Sequence, residues 1–133
     1  MILVEGKIKG KARPRVFNGH AVTPKDTVNY ENWVRLNYKE QSGKYLEGPI
    51  KAKIIAYYKI PKSYTKAKRL ACKQNIILPT KKPDIDNCIK VILDSLNGIA
   101  YKDDSQIVEV IAVKKWTEEQ ERVEFKLEEI VNE

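Results

Sequence analysis

The stretch Lys81-Lys82-Pro83-Asp84-Ile85-Asp86-Asn87-Cys88-Ile89-Lys90-Val91-Ile92-Leu93-Asp94-Ser95-Leu96-Asn97-Gly98 constrains the chain most. It reads as one helix with its entrance and exit. Pro83 and Asp84 suit the entrance, where proline has no N–H to lose and a short acidic side chain can cap free N–H groups. Gly98 suits the exit, where a left-handed residue is often needed. Ile85, Ile89, Ile92, Leu93 and Leu96 recur at helical steps and predict a buried stripe. Asp86, Lys90 and Asp94 recur every four residues and predict a separate polar row. Shortly after Gly98 comes a second acidic pair, Asp103-Asp104. If the strand that follows runs back along the helix, carboxylates from its front and from this loop can converge.

The rest of the chain reads as the frame for that helix. Residues 1–9 predict a strand, with Ile2, Val4 and Ile8 apolar. Gly10-Lys11-Ala12-Arg13-Pro14-Arg15 is a stiff cationic arm. Phe17-Asn18-Gly19-His20 has hairpin-turn chemistry. Thr23-Pro24 opens a helix from about Lys25 to Glu40, with Val28, Trp33, Val34, Leu36 and Tyr38 as its apolar contacts, ended by Ser42-Gly43. Ile50 to Ile60 is rich in β-formers and predicts a strand. Ser63-Tyr64-Thr65 caps a short basic helix, about Lys66 to Gln74. Gln106 to Trp116 predicts a long strand. Val123, Phe125 and Leu127 alternate with Glu124, Lys126 and Glu128 in a last strand, expected to pair with the previous one as a hairpin. The order β-α-β-α-α-β-β predicts an α/β domain of the α+β type, a small mixed sheet with helices packed on one face. No linker or repeat interrupts it, so residues 1–133 form a single domain.

Composition narrows the chemistry. The 133 residues carry 25 Lys and Arg against 18 Asp and Glu, a formal charge of +7. The basic residues cluster in the amino-terminal arm and between Lys62 and Lys82, and acidic ones gather at the central motif and in the tail. A basic protein holding a compact acidic group suits a polyanion ligand and a bound cation together. The single His20 cannot alone support a zinc site or a Ser-His-Asp triad, which weakens most common nucleophilic chemistries. Cys72 and Cys88 fall at no ligand spacing and read as small half-buried residues of a reducing compartment. No apolar run reaches the ~20 residues of a membrane span. Met1-Ile2-Leu3-Val4 is too short for a signal peptide. The expected location is the cytoplasm.

Asp84, Asp86 and Asp104 brought together would repel one another. A hard divalent cation relieves that repulsion, and Mg²⁺ takes a few carboxylates with water and phosphate oxygens. Such a group suits phosphodiester hydrolysis. Lys90, one turn beyond Asp86, is placed to contact the scissile phosphate or to hold a carboxylate ionised. The surrounding Lys and Arg residues would carry the nucleic-acid backbone. Each signal alone is bland: an Asp pair at a helix start usually caps, Asp103-Asp104 is an ordinary turn, and Lys90 is an ordinary partner for Asp86 or Asp94. Their coincidence in one basic chain gives the reading its weight. Asp94, two turns from the helix start, is expected only to support the site. Pattern alone does not separate Asp103 from Asp104.

Lys82-Pro83-Asp84-Ile85-Asp86-Asn87, Lys90, Leu93-Asp94-Ser95-Leu96-Asn97-Gly98 and Lys102-Asp103-Asp104-Ser105-Gln106-Ile107-Val108 together resemble the signature of RusA-type Holliday junction resolvases. The resemblance extends to Lys9-Gly10-Lys11-Ala12-Arg13-Pro14-Arg15 and Thr23-Pro24-Lys25-Asp26-Thr27, and so covers nearly the whole chain. It implies a small homodimer that cuts four-way DNA junctions by paired symmetric nicks in recombination and repair, with Mg²⁺, or Mn²⁺ in its place. The family's essential carboxylates fall on Asp84, Asp86 and Asp104, with Asp103 the neighbour of the last and a further ligand candidate. Its catalytic lysine falls on Lys90. Lys9, Lys11, Arg13, Arg15, Lys81 and Lys82 are the DNA-contact candidates. Such enzymes are common in prophages. Two other readings remain: a nuclease of another branched DNA, since metal chemistry does not encode junction shape, and a non-catalytic DNA-binding protein, which leaves the carboxylates unexplained.

Overall fold

The computed structural model describes residues 1–11, 15–17, 20–22 and 25–131. Its elements are β1 (Ile2–Glu5), β2 (Arg15–Phe17), β3 (His20–Val22), α1 (Lys25–Gln41), β4 (Ile50–Lys59), α2 (Lys66–Lys73), α3 (Ile85–Ser95), a 3₁₀ turn (Asp104–Gln106), β5 (Ile107–Thr117) and β6 (Arg122–Glu129). The predicted mixed sheet with helices is present as a single α+β unit, and β2 and β3 pair as a separate antiparallel hairpin. The Asn18-Gly19 turn and the Thr23-Pro24 cap lie outside the described residues.

The main sheet has the order β1-β6-β4-β5. This overturns the expected β5–β6 hairpin. β4 lies between them, parallel to β5 and antiparallel to β6. Two forces explain the insertion. The β4–β5 connection carries α2 and α3, the kind of long crossover a parallel pair requires. β6 then needs a site where its apolar side is covered, and beside β4 its Phe125 and Val123 stand opposite Ile54 and Ala56, all buried. The loop from β5 to β6 passes the end of β4, and Glu121 secures it there. Its carboxylate accepts from the backbone N–H of Ile8 at 3.0 Å and of Lys59 at 3.5 Å. Its carbonyl accepts from Gly6 N–H at 3.0 Å.

The core lies between the helices and one face of the sheet. Ile50, Ala52, Ile54, Ala56 and Tyr58 of β4 alternate inward and are all buried, as a strand's two-residue period dictates. Val91, Ile92 and Leu96 of the α3 segment meet them, with Val34 and Tyr38 of α1. The Tyr38 and Phe125 rings stack at 6.3 Å between centroids.

Three local expectations fail. The first strand ends at Glu5 rather than continuing to residue 9, because Gly6 turns the chain with φ of 114° and lays Ile8 into the core as a loop residue. In α1, Val28, Trp33 and Leu36 face outward, while Tyr30, Val34 and Tyr38 are buried at four-residue steps. Trp33 still uses its polar edge, donating from Nε1 to Glu5 O at 2.8 Å. In α3, Ile85 is exposed and Cys88 and Val91 are buried, so the inward stripe is rotated from the predicted one. Cys72 and Cys88 are both fully buried free thiols. Among the described residues, no helix is long and apolar enough to cross a membrane.

Candidate active site

The front of α3 is fixed by four contacts to three other parts of the chain. Tyr58, buried in β4, donates its hydroxyl to Pro83 O at 2.7 Å. Lys114 of β5 donates from Nζ to Lys81 O at 2.8 Å. Lys11 N–H donates to Asn87 O at 3.1 Å. Gly10 packs so closely that a Cβ there would lie 2.8 Å from Pro83 Cβ and 2.9 Å from Asn87 Cβ. The sequence offers no periodic signal for Gly10, Tyr58 or Lys114 in this role, because each acts across a tertiary contact.

Asp84 is the N-cap residue of α3 in extended backbone, yet its side chain makes no capping hydrogen bond. This corrects the capping expectation. The carboxylate instead faces Lys82 Nζ at 3.5 Å, in an exposed pair that contributes little to stability. Asp86 lies in the first turn of α3, where the helix dipole favours negative charge. Asp86 and Lys90 are both exposed, and neither forms an ion pair within 4 Å among the described residues.

The second acidic pair is built by the turn after α3. Gly98 has φ of 75° and donates its N–H to Tyr101 O at 2.7 Å. Tyr101 is fully buried and donates its hydroxyl to Leu93 O. Asn97 Oδ1 accepts from Asp104 N–H at 2.7 Å. Gln106 closes a capping box, its Oε1 accepting from Asp103 N–H at 3.1 Å while its Nε2 donates to Gly48 O at 3.0 Å.

This turn distinguishes the two aspartates that the sequence leaves equivalent. Asp103 is the cap: its carboxylate accepts from Ser105 N–H at 3.2 Å, and the hydrogen bonds to Ser105 hold it below the ordinary carboxyl range. Asp104 is pushed the other way, first by burial and then by a hydrogen bond and like charge from Asp94. The structure therefore brings Asp104 to Asp94. Asp94 lies eight residues along the helix from Asp86, an axial rise of about 12 Å. Its own counter-charge is Lys11, whose Nζ is 3.8 Å from Asp94 and 3.2 Å from Glu31. Asp94 is thus more central than its sequence position suggests. The signal available was its place in the Asp86–Lys90–Asp94 row.

The carboxylates thus form two neighbouring groups, Asp84 with Asp86 and Asp94 with Asp104, with Lys90 on the row between them. Among the described residues, no three acidic, Cys or His side chains gather closely enough to hold a metal ion as one cluster. The donors are nonetheless oxygens of the kind Mg²⁺ takes, one or two carboxylates at a time with water and phosphate completing its shell. The Asp94–Asp104 pair carries a like-charge contact that Lys11, on the Asp94 side at 3.8 Å, offsets only from one end and that a cation would neutralise.

Of the DNA-contact candidates, Lys81 and Lys82 are exposed immediately before the motif, and Lys9 is half-buried beside it. Lys11 is committed internally to Glu31 and Asp94. Arg15 belongs to β2, and Arg13 lies outside the described residues. An open cleft of about 580 Å³ is lined by Lys59, Lys81, Lys82 and the Glu118–Glu121 loop, with Gly6, Lys7 and Ile8, and none of the aspartates lines it. Asp84, Asp86 and Lys90 lie instead on exposed surface outside it.

The family model for endodeoxyribonuclease RusA matches residues 5–128. An uncharacterized protein of Bacillus subtilis (strain 168), YqaN, is 32% identical over 127 residues, an alignment covering 92% of this chain and 89% of that one.

Proposed function

Because the chain belongs to the RusA endodeoxyribonuclease family, the Holliday junction resolvases, we propose that it cleaves four-way junctions as a Mg²⁺-dependent homodimer, nicking two opposed strands during recombination or repair. The observation that supports the metal requirement is that the turn after α3, with Asn97 Oδ1 accepting from Asp104 N–H at 2.7 Å, sets Asp104 beside Asp94 at the end of the row that carries Asp86 and Lys90. Two carboxylates in contact are a poor surface for a polyanion unless a cation intervenes.

In this reading Asp84, Asp86 and Asp104 would hold the cation once it draws the two carboxylate groups together, and Asp94 would orient Asp104. A cation held there would supply Lewis-acid chemistry, polarising the scissile phosphate, activating a water and stabilising the leaving oxygen. Lys90 contacts the phosphate and offsets the charge that develops on it. Lys81, Lys82 and Lys9 hold the flanking backbone, and Arg13 and Arg15 extend that track. Asp103 shapes the turn as a cap and leaves ligation to Asp104. The two-fold symmetry of a dimer matches the approximate two-fold symmetry of a four-way junction, so two identical sites meet two equivalent strands.

The test is Asp86→Asn on a synthetic four-way junction, with Mg²⁺ or EDTA and a matched linear duplex. Asn keeps the shape and removes the ligand charge. Junction binding should persist while cleavage drops to the level seen in EDTA. Cleavage that survives both the substitution and EDTA would overturn the metal assignment. Equal cutting of the linear duplex would overturn the junction selectivity.

A further inference from the structure

The two edges of the main sheet are treated very differently. β1 is only four residues long, and its outer side is occupied by α1 side chains. Gln41 donates from Nε2 to Leu3 O at 2.7 Å and accepts from Leu3 N–H at 2.8 Å. Trp33 takes Glu5 O. This is a sealed edge, of the kind that keeps a sheet from pairing further.

β5 is the opposite case. It is eleven residues long and pairs with β4 alone among the described residues. No side chain bonds the outer backbone of residues 107–116 among those described. Four of its exposed side chains are apolar, Val108 at 63%, Val110 at 38%, Ile111 at 42% and Val113 at 38%, and Glu109 and Lys115 are exposed with them. A long apolar edge with free N–H and C=O groups is a template for another strand.

The sequence of β5 complements itself. Set a two-fold axis at Ala112, the midpoint of Ile107–Thr117, and lay a second β5 antiparallel to the first. All eleven residues then overlap. On the face away from the helices, Glu109 stands opposite Lys115 of the second copy, and Ile111 stands opposite its Val113. The axis repeats each pair, giving two opposite-charge pairs around an apolar centre. Cross-strand pairs of this kind stabilise a sheet, whereas like charges placed opposite each other destabilise it. A register moved by two residues loses the charge match.

We infer that β5 is the homodimer contact, joining the two four-stranded sheets through an isologous, antiparallel β5–β5 pair centred on Ala112. This rests on the homodimeric reading above and specifies its surface. An axis through the sheet keeps both helix layers on one side. Both copies of α3, and both copies of Asp104 three residues before β5, therefore face the same way. The two sites present one continuous surface to a flattened junction.

The experiment is sedimentation of the full chain of 15.4 kDa and of three variants: Glu109→Lys, Lys115→Glu and the double exchange. Wild type should sediment as a dimer. Each single exchange puts like charges opposite twice and should weaken dimerisation at least tenfold. The double exchange should restore it, and an equimolar mixture of the two single variants should form a heterodimer. Circular dichroism of the single variants separates lost pairing from lost fold, and the rescue cannot come from misfolded chains. A wild-type dimer indifferent to all three variants would overturn this interface while leaving the homodimer intact. A monomeric wild type would overturn both.

Discussion

Gly10→Ala tests whether the amino-terminal arm holds the front of α3 in place. The new Cβ would stand 2.8 Å from Pro83 Cβ and 2.9 Å from Asn87 Cβ. Carbon atoms prefer a separation of about 3.5–4.0 Å, so both contacts are too short by at least about 0.6 Å. Neither neighbour is the free end of a flexible side chain: one is in a proline ring and the other is the first side-chain atom on a helix. If the overlap is absorbed in place, overpacking costs about 1–3 kcal/mol. If the arm withdraws, the Lys11 N–Asn87 O hydrogen bond is lost, worth about 0.5–1.5 kcal/mol, and the Lys11 link to Glu31 and Asp94 loosens with it. Both routes give a loss of about 1–3 kcal/mol, small enough to leave a domain of ordinary stability folded. Urea unfolding should show a lower midpoint with an unchanged slope. The strain falls on Pro83 and Asn87, which flank Asp84 and Asp86, so single-turnover junction cleavage should fall roughly 10- to 100-fold. Lys9→Ala, which adds no atom at the contact, is the control for stability. A Gly10→Ala protein with the wild-type midpoint would refute the close packing. A lowered midpoint with unchanged cleavage would refute the link from the arm to the carboxylates.

Two further outcomes follow from hydrogen bonding and charge at the site. Asp104 is raised above 3.8 by burial and by Asp94, so the native state favours its protonated form and loses stability as pH rises through the raised value. Asp104→Asn should therefore increase the melting temperature at neutral pH in metal-free buffer, lose that advantage below pH 3.8, and abolish cleavage. A variant less stable at neutral pH would refute the like-charge contact. Tyr58→Phe leaves Pro83 O with only the distant Cys88 thiol at 3.9 Å, and should cost about 1–2 kcal/mol in urea unfolding; an unchanged midpoint would show that the hydroxyl bond contributes nothing.

What could be read in advance was local. α2 begins where Thr65 caps it, with its side chain accepting from Lys68 N–H at 3.2 Å, and β4 ends before Pro61 as its β-rich run suggests. The placement of β6 was hidden, because alternation specifies which side of a strand is buried and not which neighbour covers it. Phe125 and Val123 alternate equally well beside either strand. Helical spacing likewise placed Ile85 on the inward stripe, since it does not reveal that the helix start projects past the sheet. The essential row of the site was legible as Asp86, Lys90 and Asp94. That Asp104 meets Asp94 was not, because the meeting depends on the Gly98 turn and on Asn97 reaching back to Asp104 N–H.

The Glu121 tie has a consequence for how the molecule comes into being. It binds Gly6, Ile8 and Lys59, just before a last strand that lies inside the sheet between the first strand and the fourth. Residues at opposite ends of the chain must meet before β1 has a strand partner. Contacts of such sequence separation form slowly and late. During synthesis β4 waits with one flank open, and the amino-terminal arm keeps its contacts to α1 and α3 but lacks the Glu121 tie, so the frame around α3 is complete only when almost the whole chain has been made. A polypeptide cut short before Arg122 is then a chain without its central strand, and a DNA-cutting surface exists only in the finished product.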